Sequence, residues 1–425
     1  MAVENEAGTP ARPRTGSGRA FSSLRHPRHR LYFISGLGMT ASQGIEQLAL
    51  SWLVLDLTGS VGQLGLVLFI RGLPMAGIAL YGGVMADRYN RRTILMYCQA
   101  LIMVNLFLLA ALTIAGTVTV WHVYVSSLLL GVTWSLTQPA RQALLRELVP
   151  AEDLGNAVAL NTMQMMAARV AWPTFAGVCI TLIGVGGTLL TCGVGYVVGI
   201  VFLAMIHGLA EVTPSERGSA VSEMVEGIRY AAATPIVGTV IIMSTAVGVF
   251  GLAVVQLTPA FGRTVLGFDA GLTGVFMMSS GVGSIIGSSA LLWFHFKNRA
   301  LLFIVLFAGF SLSILGIAAS PWPPAAFVFM SLFGLFLAAY VVVAQTIFQE
   351  TVPDRLLGRV LSLWSFGGGL GAVFALPLGV IGDTFGLRWA FGGTALLLLL
   401  ITLAVGVRRV PLQMPATEEP APRAV

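Results

Sequence analysis

The chain is short of charge. It carries 24 Lys or Arg and 18 Asp or Glu among 425 residues, 10% in all, where about a quarter of an ordinary soluble domain is charged. That is too few to coat a globule of this size. With 56% apolar residues and a mean hydropathy of +0.87, a water-facing surface would be largely apolar. A large soluble enzyme is excluded, and the bilayer is the solvent.

Other shortages exclude whole chemistries. Lysine occurs once, at Lys297, outside any Gly-x-x-x-x-Gly-Lys-Ser/Thr context, so there is no nucleotide-binding loop of that type. Cys98, Cys179 and Cys192 lie in apolar runs without Cys-x-x-Cys spacing, which argues against a disulfide framework and a metal site. The five His residues form no His-Glu-x-x-His, and Gly-x-Ser-x-Gly is missing, so metal and serine chemistry have no motif. The expectation is a non-enzyme without cofactor or metal. The net charge of +6 does not indicate nucleic acid, because the bases sit between apolar stretches rather than in a patch with stacking aromatics.

A helix needs about 20 mostly apolar residues to cross the hydrocarbon core. Twelve such runs are present, roughly at 31–57, 61–85, 93–115, 118–139, 156–183 and 187–209, then at 236–259, 272–292, 301–318, 325–348, 360–381 and 389–407. The strict alternation of a membrane β-barrel is absent. Of the 24 bases, 20 fall in the two tails or after even-numbered spans, among them Arg141 and Arg146 after the fourth. Arg263 and Arg388 fall on the other side, and Arg71 and Arg169 inside spans. The positive-inside rule then makes both termini cytoplasmic.

The chain also repeats. Residues 147–160 after the fourth span and 350–363 after the tenth share Glu, Val, Pro, Leu, Gly and Leu at an offset of 203. A parallel duplication of six helices is an architecture of secondary transporters with a midplane site. The expected division is a disordered cytoplasmic tail over 1–29 and a six-helix bundle over 30–209. A cytoplasmic linker with an amphipathic helix over 210–234 follows, then a second six-helix bundle over 235–407 and a cytoplasmic tail over 408–425. In the linker, Met224, Ile228 and Ala231 share a face flanked by Glu223, Glu226 and Arg229, as in a helix at the membrane interface or a simple tether.

After the second span the chain reads Gly83-Val-Met-Ala-Asp87-Arg88-Tyr-Asn90-Arg91-Arg92. This resembles the Gly-x-Leu-Ala-Asp-Arg-x-Gly-Arg-Lys/Arg signature of the major facilitator superfamily. With twelve spans and the half-chain repeat, the resemblance covers nearly the whole chain. The stretches Gln138-Pro-Ala-Arg141, Glu226-Gly-Ile-Arg-Tyr230 and Val352-Pro-Asp-Arg355 are similar to the bacterial branch that includes macrolide efflux and siderophore export proteins. The resemblance implies an all-α fold of two pseudo-symmetric six-helix bundles in the bacterial inner membrane. It also implies a cytoplasmic gate of Gly83, Asp87, Arg88, Arg91 and Arg92. Asp87 can accept from a helix N-terminus while Arg88 and Arg92 tie neighbouring helix ends. Asn90 stands where the signature has Gly, a change tolerable in left-handed geometry. The second-half loop, residues 293–299, lacks the Asp.

Ionisable groups inside a span point to function, and there are three: Glu46, Arg71 and Arg169. Glu46 and Arg71 fall at one depth on adjacent antiparallel spans, about 15 Å from the outer surface at 1.5 Å per residue. Glu46 is the sole deep carboxylate. Because low dielectric disfavours the charged form, it is the candidate proton carrier, with Arg71 its partner; a permanent structural ion pair is the competing reading. Arg169 would attract an anionic or carbonyl-rich substrate group, or brace the helix before Pro173. Thr40, Gln43, Glu46 and Gln47 form a polar stripe at helical spacing, and Asn161, Gln164, Arg169 and Trp172 a looser one. The second half contributes Gln256, Phe336, Tyr340 and Gln345. A cavity polar on one wall and apolar on the other suits an amphipathic organic molecule.

These features lead to a monomeric exporter, contacting lipid, that exchanges protons for a hydrophobic or amphipathic small molecule by alternating access. The drug-like, macrolide-like and siderophore-like classes are all compatible. An importer or facilitator on the same fold, and a non-transporting sensor or lipid scrambler, are the alternatives. The topology has a direct check. Green fluorescent protein fused after Val425 is expected to fluoresce and alkaline phosphatase there to stay inactive; the opposite pattern inverts the orientation.

Overall fold

The structure is a computed structural model that describes residues 21–88, 90–208, 220–293 and 298–407. Apart from turns it is helical, with no strand among the described residues. In hydrocarbon a backbone without internal partners is too costly, which leaves helices as the way to span. The first half consists of α1 (Pro27–Thr58), α2 (Val61–Arg88), α3 (Arg91–Ile114), α4 (Val120–Leu148) and α5 (Ala151–Ala204). Gly184, at φ 71°, breaks α5 into two spans. After α6 (Ala220–Ala233) come α7 (Pro235–Ala246) and α8 (Leu252–Thr264), joined by a π-helical turn over Val247–Gly251 into one span. Then follow α9 (Ala270–Trp293), α10 (Arg299–Ala319), α11 (Pro323–Thr351), α12 (Asp354–Gly369), α13 (Gly371–Phe385) and α14 (Leu387–Val407). α12 and α13 again make one span, so the helices cross twelve times.

α1 packs on α5, α2 on α4, and α3 on α4 and α5, forming one bundle. The other is built from α9 on α11, α10 on α11 and α14, and α13 on α8. The bundles meet along two seams, α2 with α13 and α5 with α9. Glycines allow the backbones to touch there. A Cβ on Gly65 would stand 2.5 Å from the Ala375 carbonyl oxygen, and one on Gly379 2.6 Å from that of Val61. Gly177 and Gly274 abut the carbonyls of Ala270 and Pro173 in the same way. Small-residue contact of this kind substitutes for the hydrophobic drive that lipid does not supply.

Four expectations change. Residues 21–29 of the expected tail are ordered: Ser22–Arg25 form a short 3₁₀ turn and α1 starts at Pro27. That turn is fastened to the start of α5, with Ser22 Oγ donating to Asp153 Oδ1 at 2.6 Å and Ser23 Oγ to Asn156 Oδ1 at 2.7 Å. The fourth span does not stop at Pro139, because α4 continues through it to Leu148; one missing N–H is tolerable inside a packed bundle. Arg141 is therefore a buried helix residue at 7% exposure, not a loop base. Asn90 is not left-handed either. At φ −58° it caps α3, its side chain accepting from the Arg92 and Thr93 N–H groups, a standard use of Asn.

The linker helix α6 docks rather than floats. Glu226 pairs with Arg359 at 2.5 Å, and the Tyr230 hydroxyl donates to the Thr351 carbonyl at 3.1 Å. The side chains of Glu223 and Met224, residues 1–20 and 408–425 of the tails, and 209–219 of the linker lie outside the described residues. One substitution tests the seam. Gly379→Val forces a side chain onto the Val61 carbonyl, and overpacking of this kind costs about 1–3 kcal/mol. A lower unfolding midpoint than wild type is expected in detergent.

Candidate functional site: a buried ion pair between two charged faces

Glu46 sits on α1 with 0% exposure. Arg71 on α2 donates from one terminal nitrogen to Glu46 Oε1 at 2.9 Å, and its side chain keeps 25% exposure. The second carboxylate oxygen, Oε2, has no hydrogen-bond partner among the described residues. A buried charge is tolerable only when paired, and Arg71 is the partner the structure gives Glu46. Tyr196 and Cys192, in the second span of α5, lie within electrostatic reach of Glu46. Sequence reading missed Tyr196 because it is embedded in an apolar run.

The other expected wall residues scatter. The Thr40 hydroxyl donates to its own helix at Gly36, 2.9 Å, and the Gln47 carbonyl accepts from Ser51. Trp172 packs on Gly44 and edge-on to Phe175 at 6.1 Å. Gln164 is buried and donates to the Phe33 carbonyl at 3.2 Å. Asn161 Oδ1 accepts from Arg141 at 3.3 Å. The side chain of Arg169 lies outside the described residues. In the second bundle Tyr340 is buried against Phe303 and Phe310 at 6.0 and 6.3 Å, and Phe336 packs on Gly309. Both face the interior of that bundle. Gln256 is half-buried on α8 and Gln345 exposed on α11. The structure joins Glu46 and Arg71 and leaves the second-half residues apart.

At the face where α1 begins, called here the basic face, the half-chain repeat carries a repeated ion pair. Arg91 at the start of α3 pairs with Glu147 at the end of α4, and Arg299 at the start of α10 with Glu350 at the end of α11. Asn298 caps α10 as Asn90 caps α3. The second-half loop thus keeps the pair and the cap without the Asp. Arg92 donates to the Leu203 and Ala204 carbonyls at the end of α5, joining the start of α3 to the end of α5. Gly83, Asp87 and Arg88 close α2, and their side chains lie outside the described residues.

The opposite face holds a second, inter-bundle latch. Asp383 on α13 accepts from Ser60 Oγ at 2.5 Å and from the Val61 and Gly62 N–H groups at 2.7 and 2.9 Å. A carboxylate of one bundle thereby caps the N-terminus of a helix in the other, where the helix dipole favours negative charge. Beside it Arg263 on α8 pairs with Asp56 on α1 at 2.6 Å, donates to the Trp52 carbonyl, and stacks over the Trp52 ring at 4.7 Å. Among the described residues, the bundles approach closely from Gly62 to Gly72 on α2 and from Val170 to Gly177 on α5, in this half of the molecule.

Two six-helix bundles of twelve spans, latched at one face around a buried ion pair, define a multi-pass membrane transporter of the major facilitator architecture. The chain matches the family described as transmembrane secretion effector over residues 18–423 and belongs to it. It is a family of transporters, not of enzymes. The chain is 25% identical over 410 residues to the enterobactin exporter EntS of Shigella flexneri, with 92% of this chain and 96% of that protein covered. It is 24% identical over 400 residues to EntS of Salmonella choleraesuis, with 93% and 96% covered. Among solved structures, the nucleoside transporter NupG superposes with a TM-score of 0.68 at 13% identity, covering 89% of this chain and 98% of that one. A bacterial homologue of the human lysosomal transporter Spinster, in an inward-facing and unoccupied conformation, gives 0.69 at 12% identity, with 95% and 100% covered. These two establish the fold alone.

The latch makes its own prediction. Asp383→Asn removes the charge that caps α2, worth about 1–2 kcal/mol, or about a 5- to 30-fold shift in population. A cysteine at Gln63 should react faster with an impermeant maleimide applied from the opposite face, and Arg263→Gln should act in the same direction.

Proposed function

We propose that the protein exports a hydrophobic or amphipathic small molecule across the bacterial inner membrane, with both termini cytoplasmic, by alternating access coupled to inward movement of protons. The observation that carries the coupling is the Glu46–Arg71 pair, fully buried on the carboxylate side and with one oxygen unpartnered among the described residues. Protonation of Glu46 cancels the attraction and frees Arg71, so the charge state of the site follows the proton supply on whichever side it faces. Closure at the Asp383 and Arg263 latch, with the exposed side chains of Val158, Thr162 and Met163 on the basic half of α5, supports a state open to the cytoplasm. Export follows the named relatives, which are exporters. A polar wall confined to the first bundle supports an amphipathic cargo.

The decisive variant is Glu46→Gln, which keeps shape and removes the titrating group. In inverted vesicles pH-gradient-driven uptake of a transported dye should fall to background, while gradient-independent exchange persists; undiminished driven uptake would refute the coupling role. Arg71→Gln strands a buried carboxylate, which costs about 3–5 kcal/mol. The double variant Glu46→Gln, Arg71→Gln should recover most of that in thermal unfolding.

A further inference from the structure

Of the arginines with described side chains, Arg141 stands out. It is 7% exposed and about 10 Å, seven residues, from the end of α4. The other well-held arginines have carboxylates or carbonyls: Arg71 has Glu46, Arg263 has Asp56, Arg359 has Glu226, and Arg388 has the Ala318 and Ser320 carbonyls. Arg141 has neither. Its guanidinium donates to the Tyr32 hydroxyl at 3.5 Å, to Met39 Sδ at 3.7 Å and to Asn161 Oδ1 at 3.3 Å. All three partners are neutral and all three contacts are long. No carboxylate pairs with it among the described residues.

A buried cation without a counter-charge is costly, and a guanidinium fork is shaped to take two oxygens of an anion side by side. The missing side chain at Gly36 is what lets Gln164 and the fork close on α1. Gly36 on α1 faces the fork, its would-be Cβ lying 3.5 Å from a terminal nitrogen and 3.0 Å from Gln164 Oε1. The position is ringed by α1, α4 and α5 and lies on the basic half, away from the latched seams. We infer that Arg141, framed by Tyr32, Gly36 and Asn161, is a binding site for an anionic oxygen group on the transported molecule. The cargo is thus an amphipathic acid. This inference rests on the transport reading above for how the acid reaches the site, but not on the proton role of Glu46. The site is separate from that pair, so the membrane domain holds one base for the coupling carboxylate and another for the cargo.

The test uses the full-length protein in lipid nanodiscs and a matched pair of probes, 1-naphthoate and its neutral counterpart 1-naphthamide. Wild type should bind the acid at least about tenfold more tightly than the amide, as a charge-assisted contact implies. Arg141→Gln should abolish that preference, Arg141→Lys should keep part of it, and Glu46→Gln should leave it intact. Should Arg141→Gln fail to fold, Asn161→Asp serves instead. It sets a carboxylate against the fork, so the acid preference should vanish while the unfolding midpoint holds or rises. A wild type without acid preference, or a preference that survives Arg141→Gln or a folded Asn161→Asp, overturns the site. Arg141-dependent binding without movement of naphthoate across proteoliposomes would refute transport of this acid and leave the site standing. Arg141-independent naphthoate transport would do the reverse.

Discussion

Helices in a bilayer gain nothing from hiding apolar surface from lipid, so the halves of this protein adhere only where their backbones can come close and where charges can meet out of hydrocarbon. Both conditions hold along the α2–α13 and α5–α9 seams. Gly65, Gly379, Gly177 and Gly274 let carbonyls sit against bare Cα atoms, and Asp383 and Arg263 close the end of the contact with ionic caps. The glycines allow contact without interlocking side chains, and the ionic caps can be undone by water. Such a seam suits bundles that must separate and rejoin.

The same economy governs the interior. Hydrocarbon tolerates charge only when it is neutralised, and the deep Glu46 and the helix-end Arg388 each answer that demand. Glu46 has Arg71. Arg388 has two helix-terminal carbonyls. The basic-face arginines Arg91 and Arg299 have glutamates supplied by the two copies of the internal repeat. The duplication is thus visible as chemistry as well as topology, because Arg91–Glu147 and Arg299–Glu350 occupy matching corners of the two bundles. Arg141 departs from this pattern, with neutral partners alone among the described residues.

Much of this was legible in the chain. Runs of about 20 apolar residues make the span count readable, and depth arithmetic alone puts Glu46 level with Arg71. It worked because a helix converts residue number into height at a fixed rise. The same arithmetic failed at Pro139. Proline usually ends a helix in water, but here α4 runs on, carrying Arg141 from an assumed loop into the bundle. Asn90 was misread for a related reason. Its residue type fits both a left-handed turn and a helix cap, and only the start of α3 selects the cap. Tyr340 looked like a wall residue by type, yet its neighbours Phe303 and Phe310 draw it into the second bundle.

The sequence by itself determined the solvent, the number of spans, the duplication and the depth of the intramembrane charges, since each depends on composition or on distance along one helix. The tertiary structure decided what those charges face. Which helix lies beside which, and how each is rotated, depends on packing between segments far apart in sequence, as when Asp383 reaches Val61 across the molecule. A one-dimensional pattern carries height but not azimuth. So the scarcity of charge foretold a membrane protein, while the placement of the few charges, ionically paired at Glu46 and held by neutral groups at Arg141, emerged only from the fold.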